Sequence, residues 1–152
     1  MPYIDQKGRE KFKPVVELLG SLRISDNKEL AVLIRLFIDC FMGNYRDSWV
    51  VCNSDDKFIS VEKLLHQIFA DNNGELNYLI TKTIKSYIDC HGEKYQNYDD
   101  VINAIDRVYS DINKDKSFTA PCGTLSCVKH ELFRRKIDPY ENLKIQENGD
   151  VY

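Results

Sequence analysis

Apolar residues recur along this chain with the period of a helix rather than a strand. Leu30, Leu33, Ile34, Phe37, Ile38 and Phe41 fall at i, i+3, i+4, i+7, i+8 and i+11, the spacing of one buried helical face. Leu76, Leu79, Ile80, Thr83, Ile84 and Tyr87 repeat it, and so do Val101, Ile102, Ile105, Val108, Tyr109 and Ile112. The punctuation between these stripes is equally plain. Asp5 is an N-cap for a first helix reaching Leu19, with Pro14 marking a kink or a later start and Gly20 a stop. Gly43-Asn44 closes a helix over 28–42, and Ser60 opens a short one carrying Leu64, Leu65, Ile68 and Phe69. Asp71-Asn72-Asn73-Gly74 separates that helix from one over 75–90, and the next begins near Tyr98 or Asp99. Residues 113–121 read as a loop. A last long helix runs from about Gly123 to Ile137 with Leu125, Val128, Leu132 and Phe133 inward, and Pro139 is its expected stop. A short helical turn follows over 141–145. Trp49-Val50-Val51 reads as a short strand or a loop packed by its aromatic ring. The pattern predicts an all-α fold, a helical bundle of about five to six helices with short connections.

The length of 152 residues suits one helical domain over 1–152, since a chain of this size buries roughly 68–70% of its unfolded surface without any staple. The C-terminal tail, 139–152, is expected to dock on the domain or on a partner subunit, because Tyr140, Ile145, Val151 and Tyr152 are not residues that a merely solvated tail needs. A net charge of −3 argues against general nucleic-acid binding, which wants a basic surplus. The longest apolar stretch, Leu30 to Met42, is too short and too charged for a membrane span. Five cysteines, at 40, 52, 90, 122 and 127, make an odd set with no secretory leader before them. They read as reduced thiols of a cytoplasmic protein.

Two groups of side chains bear on function. In the last helix, Glu131 reaches Arg134 at i+3 and Arg135 at i+4. The plain reading is a set of surface ion pairs worth under ~1 kcal/mol; the sharper one turns an arginine fork toward the tail or a phosphate. Asn77, Thr81 and Lys85 form a polar stripe at i, i+4 and i+8, flanked by Tyr78, which is either a solvent face or a ligand-facing one. Cys122, Cys127 and His130 have Cys-x4-Cys-x2-His spacing, with Cys90-His91 elsewhere. Zinc sites favour Cys-x2-Cys pairs, so no metal and no cofactor is expected. Gly-rich phosphate loops, Gly-x-Ser-x-Gly, His-Glu-x-x-His and dinucleotide fingerprints are missing from the sequence.

The two ends carry a further pattern. Met1-Pro2-Tyr3-Ile4 opens the chain. Glu131-Leu132-Phe133-Arg134-Arg135, Pro139-Tyr140-Glu141, Lys144-Ile145 and Glu147-Asn148-Gly149-Asp150-Val151-Tyr152 close it. With Gly74 to Thr81, these segments resemble a family of small phage and bacterial proteins that has no assigned activity. The sequence departs from the family's shorter pattern around residues 24–70 and at Lys114–Pro121. The resemblance implies a phage or mobile-element setting, within the host cytoplasm.

Three functions are therefore expected in order. The first is a non-enzymatic binding protein, a homo-oligomer, in one version a sponge that sequesters a small nucleotide signal of host defence. Its ligand would meet Arg134, Arg135 and Lys144 as phosphate partners, Tyr78, Tyr140 and Tyr152 as stacking surfaces, and Asn77 and Thr81 on the polar stripe. The second is a protein–protein module that inhibits a host protein or acts in assembly. The third is a divalent-metal-dependent enzyme of nucleotide metabolism using acids among Glu131, Glu141, Glu147 and Asp150.

Overall fold

The computed structural model describes residues 4–43, 58–68 and 70–149. Every regular element among them is helical, so the fold is all-α and the bundle expected from the sequence is present. Trp49-Val50-Val51, Cys52, Phe69, Asp150 and Tyr152, each given a reading above, lie outside the described residues.

Helix α1, Gln6–Lys11, starts where Asp5 caps it, the Gly8 amide donating to Asp5 Oδ1 at 2.8 Å. The chain turns at Phe12 and α2, Lys13–Ser21, begins with Pro14 in its first turn. A first-turn proline gives up an amide that has no intrahelical acceptor, so Pro14 marks a start, not a kink. Asp26 caps α3, Asn27–Met42, by accepting from the Glu29 amide at 2.9 Å, and Gly43 ends it in the left-handed conformation at φ 74°. Helix α4, Ile59–Gln67, follows Phe58 with no side-chain cap, so Ser60 sits inside its first turn instead of capping it. Asn72 caps α5, Asn73–His91, through the Glu75 amide at 2.9 Å. Helix α6, Tyr95–Ile112, begins earlier than Tyr98 because Asn97 closes the preceding turn, donating to the carbonyls of His91 and Gly92 at 3.0 and 2.8 Å.

The C-terminal third departs most from expectation. A 3₁₀ turn over Lys116–Phe118 leads directly into α7, Thr119–Leu132, so the loop before the last helix is shorter than the sequence suggests. Pro121 is accommodated in the first turn of α7, again where its missing amide costs nothing. Pro139 does not end the helical path. A π turn over Phe133–Ile137 comes first, in which the Asp138 amide donates to the Phe133 carbonyl five residues back, and α8, Asp138–Asn148, then starts with Pro139 in its first turn. Widening the turn places the proline at a helix start rather than mid-ladder, where it would break the helix. Phe133, whose amide still donates to the Lys129 carbonyl, lies outside the inward stripe. It is 37% exposed, whereas Leu125, Val128 and Leu132 are buried as expected.

Helix α5 is the hub. It packs against α2, α3, α6 and α7, and α3 packs against α4, α5 and α6. The buried side chains of these helices form one hydrophobic cluster, with Phe12, Leu33, Phe37, Leu76, Ile80, Ile105 and Leu125 among its members. Lys11 ties α1 to the start of α5 through Asp71 at 2.9 Å and Glu75 at 3.1 Å. No described helix is long and apolar enough to cross a membrane.

The thiols separate by depth. Cys40 and Cys122 are buried and Cys90 and Cys127 exposed, all four free. Burial, followed by the charges of Glu62 and Asp39, pushes the Cys40 thiol up to about 12, and burial raises Cys122 as well. Limited alkylation of the native protein at pH 8 with peptide mapping should modify Cys90 and Cys127 and leave Cys40 untouched until denaturant is added. Early labelling of Cys40 would contradict its packing in α3.

Candidate functional site

A cleft of about 180 Å³ lies where the second half of α5 meets the end of α7, with the start of α6 beside it. Its floor is apolar: Ile84, Ile88, Tyr98, Val128 and Leu132. Its rim is charged: Lys85, Asp89, Glu93, Glu131, Arg135 and Lys136, with Thr81 at one end. Helical spacing builds the α5 wall, because Thr81, Lys85 and Ile88, and likewise Ile84 and Ile88, share a face at three- and four-residue steps. The opposite wall comes from the last turn of α7 and the π turn, which presents Arg135 and Lys136 beside Glu131.

Four of the rim's charges are tied up in ion pairs. Glu131 Oε2 receives both arginines, Arg134 Nη2 at 3.0 Å and Arg135 Nε at 2.8 Å, with side-chain exposures of 63% and 50%. The plain reading of the Arg-Arg pair, surface ion pairs to one shared glutamate, is the arrangement observed. Lys136 reaches across the cleft mouth to Glu93 at 3.2 Å. Burial, then the neighbouring charge of Glu93, raises the pKa of the Tyr98 phenol, so it stays protonated and able to donate across the physiological range.

The residues expected to form a site are only partly assembled. Thr81 and Arg135 line the cleft. Arg134 stands beside it through Glu131. Tyr140 joins it indirectly, its ring 6.3 Å from that of Tyr98, and the Lys144 ammonium lies 5.6 Å from the Tyr140 ring. Lys144 also pairs with Glu147 at 3.2 Å, which raises its pKa. Tyr78 points elsewhere, toward Phe12 at 6.3 Å with Lys82 over its ring at 5.6 Å.

Asn77 corrects the polar stripe. It is only 2% exposed, and its side-chain oxygen accepts from the Thr81 hydroxyl at 3.0 Å. Because α5 is packed by four helices, its buried arc is wider than one stripe and takes in Asn77. The hydrogen bond from Thr81 offsets the cost of placing a carboxamide there.

Lys85, on the polar stripe read from the sequence, lines the cleft beside Thr81. Ile84, Ile88, Asp89, Glu93, Tyr98 and Lys136 were not legible as cleft residues, because nothing in the sequence fixes which neighbours those helix faces meet. The acids expected for a metal-dependent enzyme are not gathered. Glu131 is held by two arginines, Glu141 and Glu147 are exposed on α8, and Asp150 lies outside the described residues. Cys122 is buried while Cys127 and His130 are exposed, and no group of three or more His, Cys, Asp or Glu among the described residues is placed to hold a metal ion.

The chain belongs to the family described as Domain of unknown function (DUF6899), whose model matches residues 1–121 and 112–151. The two matched stretches overlap at residues 112–121, from the last residue of α6 to the first turn of α7. No curated protein and no solved structure matches the chain.

Proposed function

We propose that this member of the family is a non-enzymatic binding protein of phage or mobile-element origin, acting in a host cytoplasm as a sponge for a small nucleotide signal. The observation that carries the reading is the cleft between α5, α6 and α7, an apolar floor with one aromatic ring under a rim of paired charges. Ligand sites commonly combine a mostly apolar lining with a few convergent polar groups. At about 180 Å³ the cleft falls below the roughly 300–1,000 Å³ of sites that enclose a drug-sized ligand. It therefore suits one ring system of a ligand, against Tyr98, with the remainder outside. The phage setting rests on the resemblance of the two chain ends.

Calorimetric titration with a panel of nucleosides, cyclic nucleotides and ADP-ribose derivatives tests the reading. A Thr81→Trp variant that fills the cleft from its rim, and keeps its helical spectrum, should lose at least about tenfold in affinity for any binder, or about 1.4 kcal/mol. Unchanged affinity would move the site elsewhere, and a folded protein that binds none of the panel would remove the sponge.

A second reading, a protein–protein module that self-associates, is favoured by α8. No residue of this helix is buried, and Leu143 and Ile145 are exposed at its surface. An isolated helix of this length is marginal in water, so α8 is suited to being covered by a partner or a second copy. Removing residues 139–152 should then lower the oligomeric state in sedimentation while leaving the bundle's helical spectrum in place. Loss of the whole fold would instead make the segment structural.

A further inference from the structure

Helix α5 borders a second depression on the flank facing α2. It is an open groove of about 730 Å³ between the end of α2 and the second half of α5, with Gly20, Arg23, Lys82, Lys85 and Ser86 along it. Lys82, Lys85, Ser86 and Asp89 stand at i, i+3, i+4 and i+7, so a single face of α5 presents both lysines to the groove. Lys85 and Asp89 line the cleft as well. The two depressions therefore adjoin along one stretch of α5.

Their charges differ in kind. On the cleft rim, Arg135 is engaged by Glu131 and Lys136 by Glu93. In the groove, three cations, Arg23, Lys82 and Lys85, face the single carboxylate of Asp89. None of the three is in an ion pair among the described residues. Lys82 is steadied over the Tyr78 ring at 5.6 Å. An anionic group leaving the cleft toward Arg134 and Arg135 would have to displace Glu131. One leaving over Lys85 enters a groove with a positive surplus and displaces nothing. A guanidinium and two ammonium groups around one open groove suit an extended anion better than a single charge.

We propose that the groove is the anion-binding half of a two-part site, and that the ligand class is a nucleotide carrying at least two adjacent phosphates. Its ring occupies the cleft and its phosphates cross Lys85 toward Lys82 and Arg23. This rests on the reading of the cleft as a ring-binding site, and it moves the phosphate partners from the Arg134–Arg135 pair to α5 and the end of α2.

The test titrates nucleosides and their 5′-mono- and 5′-diphosphates into the full chain, into Arg23→Gln/Lys82→Gln and into Arg134→Gln. The diphosphate should bind the unaltered chain about tenfold or more tighter than its nucleoside. That gain should fall below about threefold in the double variant, with nucleoside affinity unchanged, and persist in Arg134→Gln. A gain that survives the double variant, or disappears in Arg134→Gln instead, overturns the proposal. If no nucleoside binds, the cleft reading has failed, and tripolyphosphate alone then decides the groove. Binding that the double variant abolishes upholds an anion site there, whereas no binding of tripolyphosphate overturns it.

Discussion

Phe37→Ala should lower the stability of the folded chain by about 3–5 kcal/mol, because it removes a fully buried ring and leaves a cavity that its neighbours only partly fill. Phe37 sits on α3 among side chains that are all but inaccessible, including Leu33, Ile34 and Ile38. Domains of this kind are stable by only about 5–15 kcal/mol, so the loss takes a fifth or more of the margin. In urea it should appear as a fall in the unfolding midpoint of roughly 2 M at an ordinary slope. Phe133→Ala is the matched control. The sequence places both phenylalanines on inward stripes, yet Phe133 is 37% exposed, so its loss should stay within about 0.5–1 kcal/mol. Equal losses at the two positions would contradict the exposure of Phe133.

Asp39→Ala should cost roughly 3 kcal/mol, far more than the same change at Glu131. Each acid accepts an arginine Nε four residues away or closer, Asp39 from Arg35 at 3.1 Å and Glu131 from Arg135 at 2.8 Å. By distance alone the Glu131 pair is the better one. Burial reverses the order. Asp39 is 1% exposed and Arg35 packs its guanidinium 5.2 Å from the Phe118 ring, so removing the carboxylate strands a largely dry cation. The Glu131 arginines are half or more in water, where such pairs contribute under about 1 kcal/mol and salt screens them. Urea unfolding of Asp39→Ala and Glu131→Ala at two salt concentrations checks this. A similar, salt-sensitive loss at both sites would mean that Asp39 is not shielded.

Much of the fold was readable because helices announce themselves locally. The stripe from Leu30 to Phe41 and the caps at Asp5 and Gly43 lie within a few residues of what they specify. The misreadings share a cause. Ser60 has the chemistry of a cap, but Phe58 is buried and the helix begins two residues too early for Ser60 to act as one. Pro139 is a strong stop in any scale of propensity, yet a change of turn type upstream let the chain continue as a helix. Asn77 looked like a surface residue because polar side chains usually are, and only the crowding of α5 by four neighbours puts it inside. The candidate site was less legible than the fold. Arg134, Arg135 and Tyr140 were singled out from one segment, and they do stand at or beside the cleft. The other wall comes from α5, some fifty residues earlier in the chain, and no local pattern encodes which helices meet.

The π turn over Phe133–Ile137 also makes the length of this segment a controlled quantity. Closing hydrogen bonds five residues back instead of four stores one extra residue in the turn. Deleting a single residue there, Lys136 for instance, would let the ladder close at ordinary α spacing, because a π turn takes up one residue more than an α turn for about the same rotation. Tyr140 would keep its place near Tyr98, and the cleft would keep the two walls that give it depth. The segment therefore behaves like a slack link. Point substitutions on its exposed face change charge alone, and the loss of one residue is absorbed by the change of turn, so related chains should tolerate a difference of one residue here without re-aiming α8.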